Sequence, residues 1–302
     1  LPYYYELATQ FATSDRMFSP LLSNTIPNRT LLFTGTTRGM VYQDQPSATD
    51  AFNQPTIFDK LQAAGVSWRY YYMDSSVFLA SFPNSWGTTD NPNLPMQGNV
   101  RSIDELFKFL ADPNADKLLP KVIFIERGSQ TGLDEHPDNN IQPGAAKVSS
   151  IINALMQSKA WPTSVFFLTY DEAGGLYDHV PPMQTVAPDD IPVDHTPTKA
   201  GTQVNPGDFT ESGMRLPFIA VSPFVKPHYV SHVPRDTTAI LKFIETRFAV
   251  TPLTRRDAAQ DDMTEMFDFA NPAWLVPPAS VLNTVQPTDG VAKQSLETAG
   301  SQ

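Results

Sequence analysis

The chain has 302 residues, enough to bury a substantial core as one large α/β domain or two smaller ones. Its 32 acidic against 21 basic side chains, a net charge of −11, argue against a general nucleic-acid surface, which needs clustered Lys and Arg. Cysteine is absent, which excludes disulfides, thiolate metal sites and a cysteine nucleophile; no apolar run is long enough to predict a transmembrane helix. A small phosphate-bearing substrate stays open, because a bound metal can supply positive charge locally.

The first residues, LPYYYELATQF, place Leu7, Ala8 and Phe11 for a short helix. They show neither an initiator methionine nor a signal-peptide pattern, so the chain reads as processed or truncated. A cysteine-free chain is compatible with export, and a secreted or periplasmic location is the expectation. Asn24-Thr25-Ile26-Pro27 has the form of a helix start, with a capping side chain and an early proline. Leu31, Leu32 and Phe33 would be its buried part, and Thr36 to Gln54 reads as a polar loop.

Pro55 to Ala64 predicts a helix stopped by Gly65, and Val66 to Tyr72 a strand. Ser75 to Asn99 is a long irregular excursion of the kind that often faces substrate. Ser102 opens another helix, with Glu105 at capping-box distance. Val122 to Ile125 predicts a strand, and Pro143 to Lys159 a helix burying Val148, Ile151, Ile152 and Leu155.

A strand at Val165 to Leu168 then completes what reads as a parallel, right-handed βαβ unit. Pro181 to Arg215 is a proline-rich insertion. Leu216 to Val221 predicts a further strand and Asp236 to Phe248 a further helix. From about residue 275 the chain thins into a tail. With no repeat and no boundary, residues 1–302 read as one layered α/β/α domain.

The chemistry concentrates in SVFFLTYDEAGGLYDHVPP, Ser164 to Pro182. Its apolar strand ends in Asp171-Glu172, followed by Gly174-Gly175 and then Asp178-His179. Ligands of open α/β sheets gather beyond the carboxyl ends of strands, and two acids there point to a hard cation. The competing reading is a solvated acidic turn.

Thr25, at a helix N-terminus, lies near free N–H groups that can hold a phosphate, and a metal could activate its hydroxyl as a nucleophile; the competing reading is an ordinary cap. His136, beside Asp134 and Glu135, could donate to a phosphoryl oxygen or protonate a leaving group; otherwise it is a surface histidine. His179 could contact substrate or pin its loop. His228 and His232 read as structural, and His195 as exposed. Dinucleotide, P-loop, Gly-x-Ser-x-Gly and His-Glu-x-x-His motifs are absent.

Five stretches taken in order resemble the bacterial phosphoesterases that include phospholipase C and acid phosphatases, of alkaline phosphatase architecture. They are FATSDRMFSPLLSNTIPNR, DEHP, WPTSVFFLTYDEAGGLYDHVPP, GMRLPFIAVSPFVKPHYVSHVPRDTTAILKFIETRF and RDAAQDDMTEMFDF, and together they cover nearly the whole chain. The resemblance implies a three-layer α/β/α fold on a mainly parallel sheet, and a divalent metal. It implies Thr25 as nucleophile and metal ligand, Asp171 and Glu172 as acidic ligands, and His136 as a contact to phosphate. His179 falls at an Asp-His-Val position near such sites.

Members also carry an early Glu-Asn-x-Ser-Phe-Asp motif that supplies two metal ligands and follows a central strand. This sequence has no such motif, which implies that an N-terminal segment of the same protein is a missing partner. The substrate class implied is a small phosphate ester or a phospholipid, and the lack of added β-domains leans toward the phosphatases. The alternative is a non-catalytic fragment or binding protein that retains the fold with an incomplete metal site. A glycosidase using Asp171 and Glu172 is disfavoured, because adjacent strand residues point to opposite faces.

Overall fold

In the computed structural model, residues 1–42, 45, 47–74, 77–83, 97–126, 128, 130–196 and 207–288 are described. The strands are β1 (Ala12–Ser14), β2 (Met17–Phe18), β3 (Trp68–Tyr72), β4 (Val100–Ser102), β5 (Val122–Ile125), β6 (Phe166–Thr169), β7 (Phe218–Val221), β8 (Tyr229–Ser231) and β9 (Arg235–Asp236). The principal helices are α1 (Pro2–Gln10), α2 (Thr25–Thr34), α3 (Ile57–Ala63), α4 (Ile103–Ala111), α5 (Ile141–Gln157) and α6 (Ala239–Phe248).

Alternation along β3 creates the layers. Trp68 and Tyr70 pack with Phe33, Phe58 and Leu241, from α2, α3 and α6. Tyr71, on the opposite face, packs with Ile103, Leu106 and Leu110 of α4. The same alternation in β5 sends Val122 and Phe124 to the first cluster, Ile123 and Ile125 to the second. Helices therefore cover both faces, and the expected α/β/α layering is present.

Local signals behave as the residues require. Thr56 and Asp59 form a reciprocal capping box at the start of α3, and Gly65 beyond its end takes a left-handed φ of 67°. Ser102 caps α4 by accepting from Asp104 N–H at 3.3 Å; Glu105 does not complete a box and instead lies 3.6 Å from Arg101.

Several expectations need correction. The strands form a parallel sheet of order β4-β3-β5, a sheet of order β6-β7-β1-β8 and a β2-β9 pair. β7 is antiparallel to both β6 and β1, while the other pairings of these strands are parallel, in keeping with the expected mainly parallel arrangement. β5 and β6 are not hydrogen-bonded to each other, so the anticipated βαβ unit is not a paired one. The loop Thr36 to Gln54 contains a short helix, Ala48–Phe52. In the tail, helix Ala279–Asn283 buries Val281, and Gln286 accepts the Tyr3 N–H at 3.4 Å. Residues 84–96 of the irregular excursion and 289–302 of the tail lie outside the described residues.

Candidate active site

Thr25 is the first residue of α2, and no side chain caps that terminus: Asn24 is in extended backbone and its side chain makes no cap bond. Pro27, in the first turn, has no N–H to satisfy. The first N–H groups and the positive end of the helix therefore face outward, a ready anion site. Asn28 secures the approach, accepting from Leu21 N–H at 2.9 Å and donating to the Ser23 and Asn24 carbonyls at 3.1 and 3.2 Å.

β6 delivers Asp171 and Glu172 to the same point. The Thr25 hydroxyl donates to Glu172 Oε1 at 2.7 Å, across a sequence separation of 147 residues. The chain then turns through Gly174 and Gly175, both left-handed, with φ of 66° and 74°. A Cβ on Gly174 would lie 2.7 Å from Pro137 Cγ, so glycine lets this turn close on the loop that carries His136.

That loop is tethered by the two residues just before His136. Asp134 accepts the His136 N–H at 3.2 Å, and Glu135 accepts the hydroxyls of Tyr4 and Tyr170 at 2.7 and 2.5 Å. Burial pushes the Glu135 carboxyl above its ordinary pKa, against the pull of the two hydroxyl donors. The His136 side chain is exposed above it.

His179 is also exposed, its Nδ1 3.9 Å from Asp178 Oδ1. Asp178 is engaged elsewhere, in a two-point pair with Arg215 at 2.7 Å each, and Arg215 also donates to the Asp15 carbonyl at 3.0 Å. The Arg215 bonds hold the Asp178 carboxyl well below the usual carboxylate range. Thr25, His136, Asp171, Glu172 and His179 all line one cleft of roughly 1700 Å³. The remaining histidines are elsewhere: Nδ1 of His228 bonds the Thr9 carbonyl at 2.6 Å, that of His232 bonds Asp15 at 2.9 Å, and His195 is exposed in a loop.

Sequence reasoning overlooked a second contact one turn along α2. Arg29 pairs with buried Glu126, the residue just after β5, and Glu126 also accepts the Tyr70 hydroxyl. The signal was present, since Arg29 stands in the quoted Thr-x-Pro-Asn-Arg run and Glu126 ends a strand as Asp171 and Glu172 do.

As ligands, Thr25, Asp171 and Glu172 are all oxygen donors, the right kind for a hard cation. Their number falls short: among the described residues no three His, Cys, Asp or Glu side chains are grouped to hold a metal ion. In this chain the set does not make a cation site by itself.

A family model matches residues 1–251, described as the Phosphoesterase family. The chain belongs to the Phosphoesterase family. Non-specific phospholipase C4 of Arabidopsis thaliana is 31% identical over 249 residues, covering 78% of this chain and 41% of that protein. Phospholipase C B of Mycobacterium tuberculosis is 30% identical over 299 residues, covering 90% and 56%. The chain thus spans about half the length of the curated relatives it matches, and both a plant and a bacterial phospholipase C resemble it. Human ectonucleotide pyrophosphatase/phosphodiesterase 5 superposes with a TM-score of 0.50 at 12% identity, over 83% of this chain and 90% of that one, a likeness of fold.

Proposed function

We propose that this chain carries the catalytic core of a phosphoester hydrolase in which Thr25 is the nucleophile. The observation that supports it most is the 2.7 Å hydrogen bond from the Thr25 hydroxyl to Glu172, at a helix terminus open to an anion. The phosphoryl group docks against the first N–H groups of α2. Thr25 Oγ1 attacks phosphorus in line as its proton passes to Glu172, and a bond from Oγ1 to phosphorus forms while the ester P–O bond breaks. His136 protonates the departing oxygen, and His179 contacts the substrate from the mouth of the cleft. Water then cleaves the phosphothreonine, returning the hydroxyl.

A divalent cation, of which Thr25, Asp171 and Glu172 would be partial ligands, would add Lewis-acid stabilisation of the phosphoryl oxygens. Its other ligands would come from a segment outside residues 1–302. The names of the relatives favour a phospholipid diester over a simple monoester.

Hydrolysis of p-nitrophenyl phosphate and p-nitrophenylphosphorylcholine tests this reading. Thr25→Ala should cost roughly three or more orders of magnitude in kcat. Equal rates in the variant would remove Thr25 from the chemistry. The second reading, a fold-retaining protein without turnover, is favoured by the short donor set. It predicts that the unaltered chain is inactive on both substrates with or without added divalent cations.

A further inference from the structure

On the phosphoesterase reading, on which this inference rests, Glu172 takes the proton of Thr25 and His136 protonates the departing oxygen. The two groups stand on separate elements, Glu172 just beyond β6 and His136 in the loop between β5 and α5. An in-line transfer places them on opposite sides of phosphorus, so their spacing has to be held. Among the described residues no ladder joins β5 to β6, and the sheet does not pair the two elements directly.

Glu135 joins them. It immediately precedes His136, and Tyr170 immediately precedes Asp171-Glu172. The Tyr170 hydroxyl donates to Glu135 Oε2 at 2.5 Å across 35 positions, and the Tyr4 hydroxyl, from α1, donates to Oε1 at 2.7 Å. Each carboxylate oxygen thus has its own donor, which fixes the plane of the group. Burial, above all, holds both phenols above their ordinary pKa, so they remain donors. Helix α5 closes a further side: a Cβ on Gly144 would lie 2.7 Å from Glu135 Cγ and 2.7 Å from its Oε1. The close approach of Gly174 to Pro137 belongs to the same seam, one residue past His136.

We propose that Glu135 is a positioning residue: through Tyr170 it holds the His136 loop and the Asp171-Glu172 end of β6 at one spacing. It acts through its neighbours and does not touch the reacting atoms. Tyr4, on the other oxygen, ties the same carboxylate to α1 and lies outside that link. Two bonds of like chemistry on one carboxylate therefore have unlike consequences, which a role in stability alone would not produce.

Tyr170→Phe and Tyr4→Phe each delete one hydroxyl from this carboxylate and test the assignment. With p-nitrophenylphosphorylcholine, Tyr170→Phe should lower kcat about tenfold or more with KM within about twofold, and Tyr4→Phe should leave both within about twofold. Glu135→Ala should lower kcat at least as far as Tyr170→Phe. The double variant Glu135→Ala/Tyr170→Phe should fall no further, because the two residues act through one contact. Equal losses in the two phenylalanine variants, no loss in Tyr170→Phe, or additive losses in the double variant overturn the proposal.

Amide hydrogen exchange gives a readout that needs no turnover. Tyr170→Phe should speed exchange at the His136, Asn139 and Glu172 amides, which bond Asp134, the His136 carbonyl and Asp171. Tyr4→Phe should leave the Glu172 amide unchanged. A Glu172 amide that exchanges alike in the unaltered chain and both phenylalanine variants overturns the proposal whether or not the chain is active. Inactivity of the unaltered chain with the expected exchange pattern would remove the phosphoesterase reading and leave the Glu135 link standing.

Discussion

At the scale of single residues, Glu245 has the most measurable consequence outside the cleft. Both of its carboxyl oxygens are buried, and among the described residues neither has a donor in good hydrogen-bond geometry. It faces Asp257, which already accepts the Leu253 and Thr254 N–H groups at 2.7 and 2.8 Å. Burial first, then the neighbouring carboxylate, push the Glu245 pKa up to about 8. A raised folded-state pKa means that the protonated form is favoured by folding. This stabilisation is complete below the ordinary carboxyl range, near 4.5, and is lost as pH rises through about 8. Urea midpoints should therefore fall between pH 5 and pH 9 in the unaltered protein and fall less in Glu245→Gln. An equal fall in both would mean that Glu245 is not the group responsible. Of the five candidates that line the cleft, Thr25, Asp171 and Glu172 were legible from the sequence as residue types near helix and strand ends, and His136 and His179 as loop residues. Their mutual distances were not, because Thr25 and Glu172 are separated by 147 positions. Glu126 was passed over for the same reason: its partners lie on α2 and β3, and only tertiary packing joins them.

At the scale of elements, α2 holds the site, and its far end is fixed as closely as its near one. Gly35 closes it with φ of 71°, and a Cβ there would sit 2.7 Å from Asp257 Oδ1 and 2.9 Å from Thr254 Oγ1. Gly35→Ala should cost on the order of 1–3 kcal/mol by backbone strain alone, measured as a lowered urea midpoint. No loss would show that the cap relaxes freely. Helices and strands with strong internal periodicity, such as α4, α5 and β3, could be anticipated. The two- and three-residue strands β1, β2, β8 and β9 could not, since their pairing is long-range. The antiparallel course of β7 was equally hidden: a continuous apolar run, buried throughout, carries no mark of direction.

At the scale of the whole molecule, the two hydrophobic clusters meet across β3 and β5, while the cleft separates β5 from β6. Exchange in the unliganded chain should then alternate along β5. The Val122 amide, bonded to β3, should exchange slowly, and the Ile123 and Ile125 amides, turned to the cleft, faster. Uniform protection would mean that the edge is already covered. Layering could be foreseen from composition and the order of elements; the break between β5 and β6 could not, because neither strand's own residues say whether both of its edges are paired.

The spacing of Thr25 and Arg29 has one further consequence, for tolerance to change. Each α-helical residue turns about 100°, so the four-residue interval aims both side chains the same way, one at each of two separate strands. Inserting one alanine between them would swing Thr25 about 100° away from Arg29, while exchanging the half-buried Ile26 for another apolar residue would leave the aim intact. In a library screened for folding and turnover, position 26 should accept apolar substitutions, whereas single-residue insertions and deletions between positions 25 and 29 should be rejected. At that position the constraint is on count rather than identity.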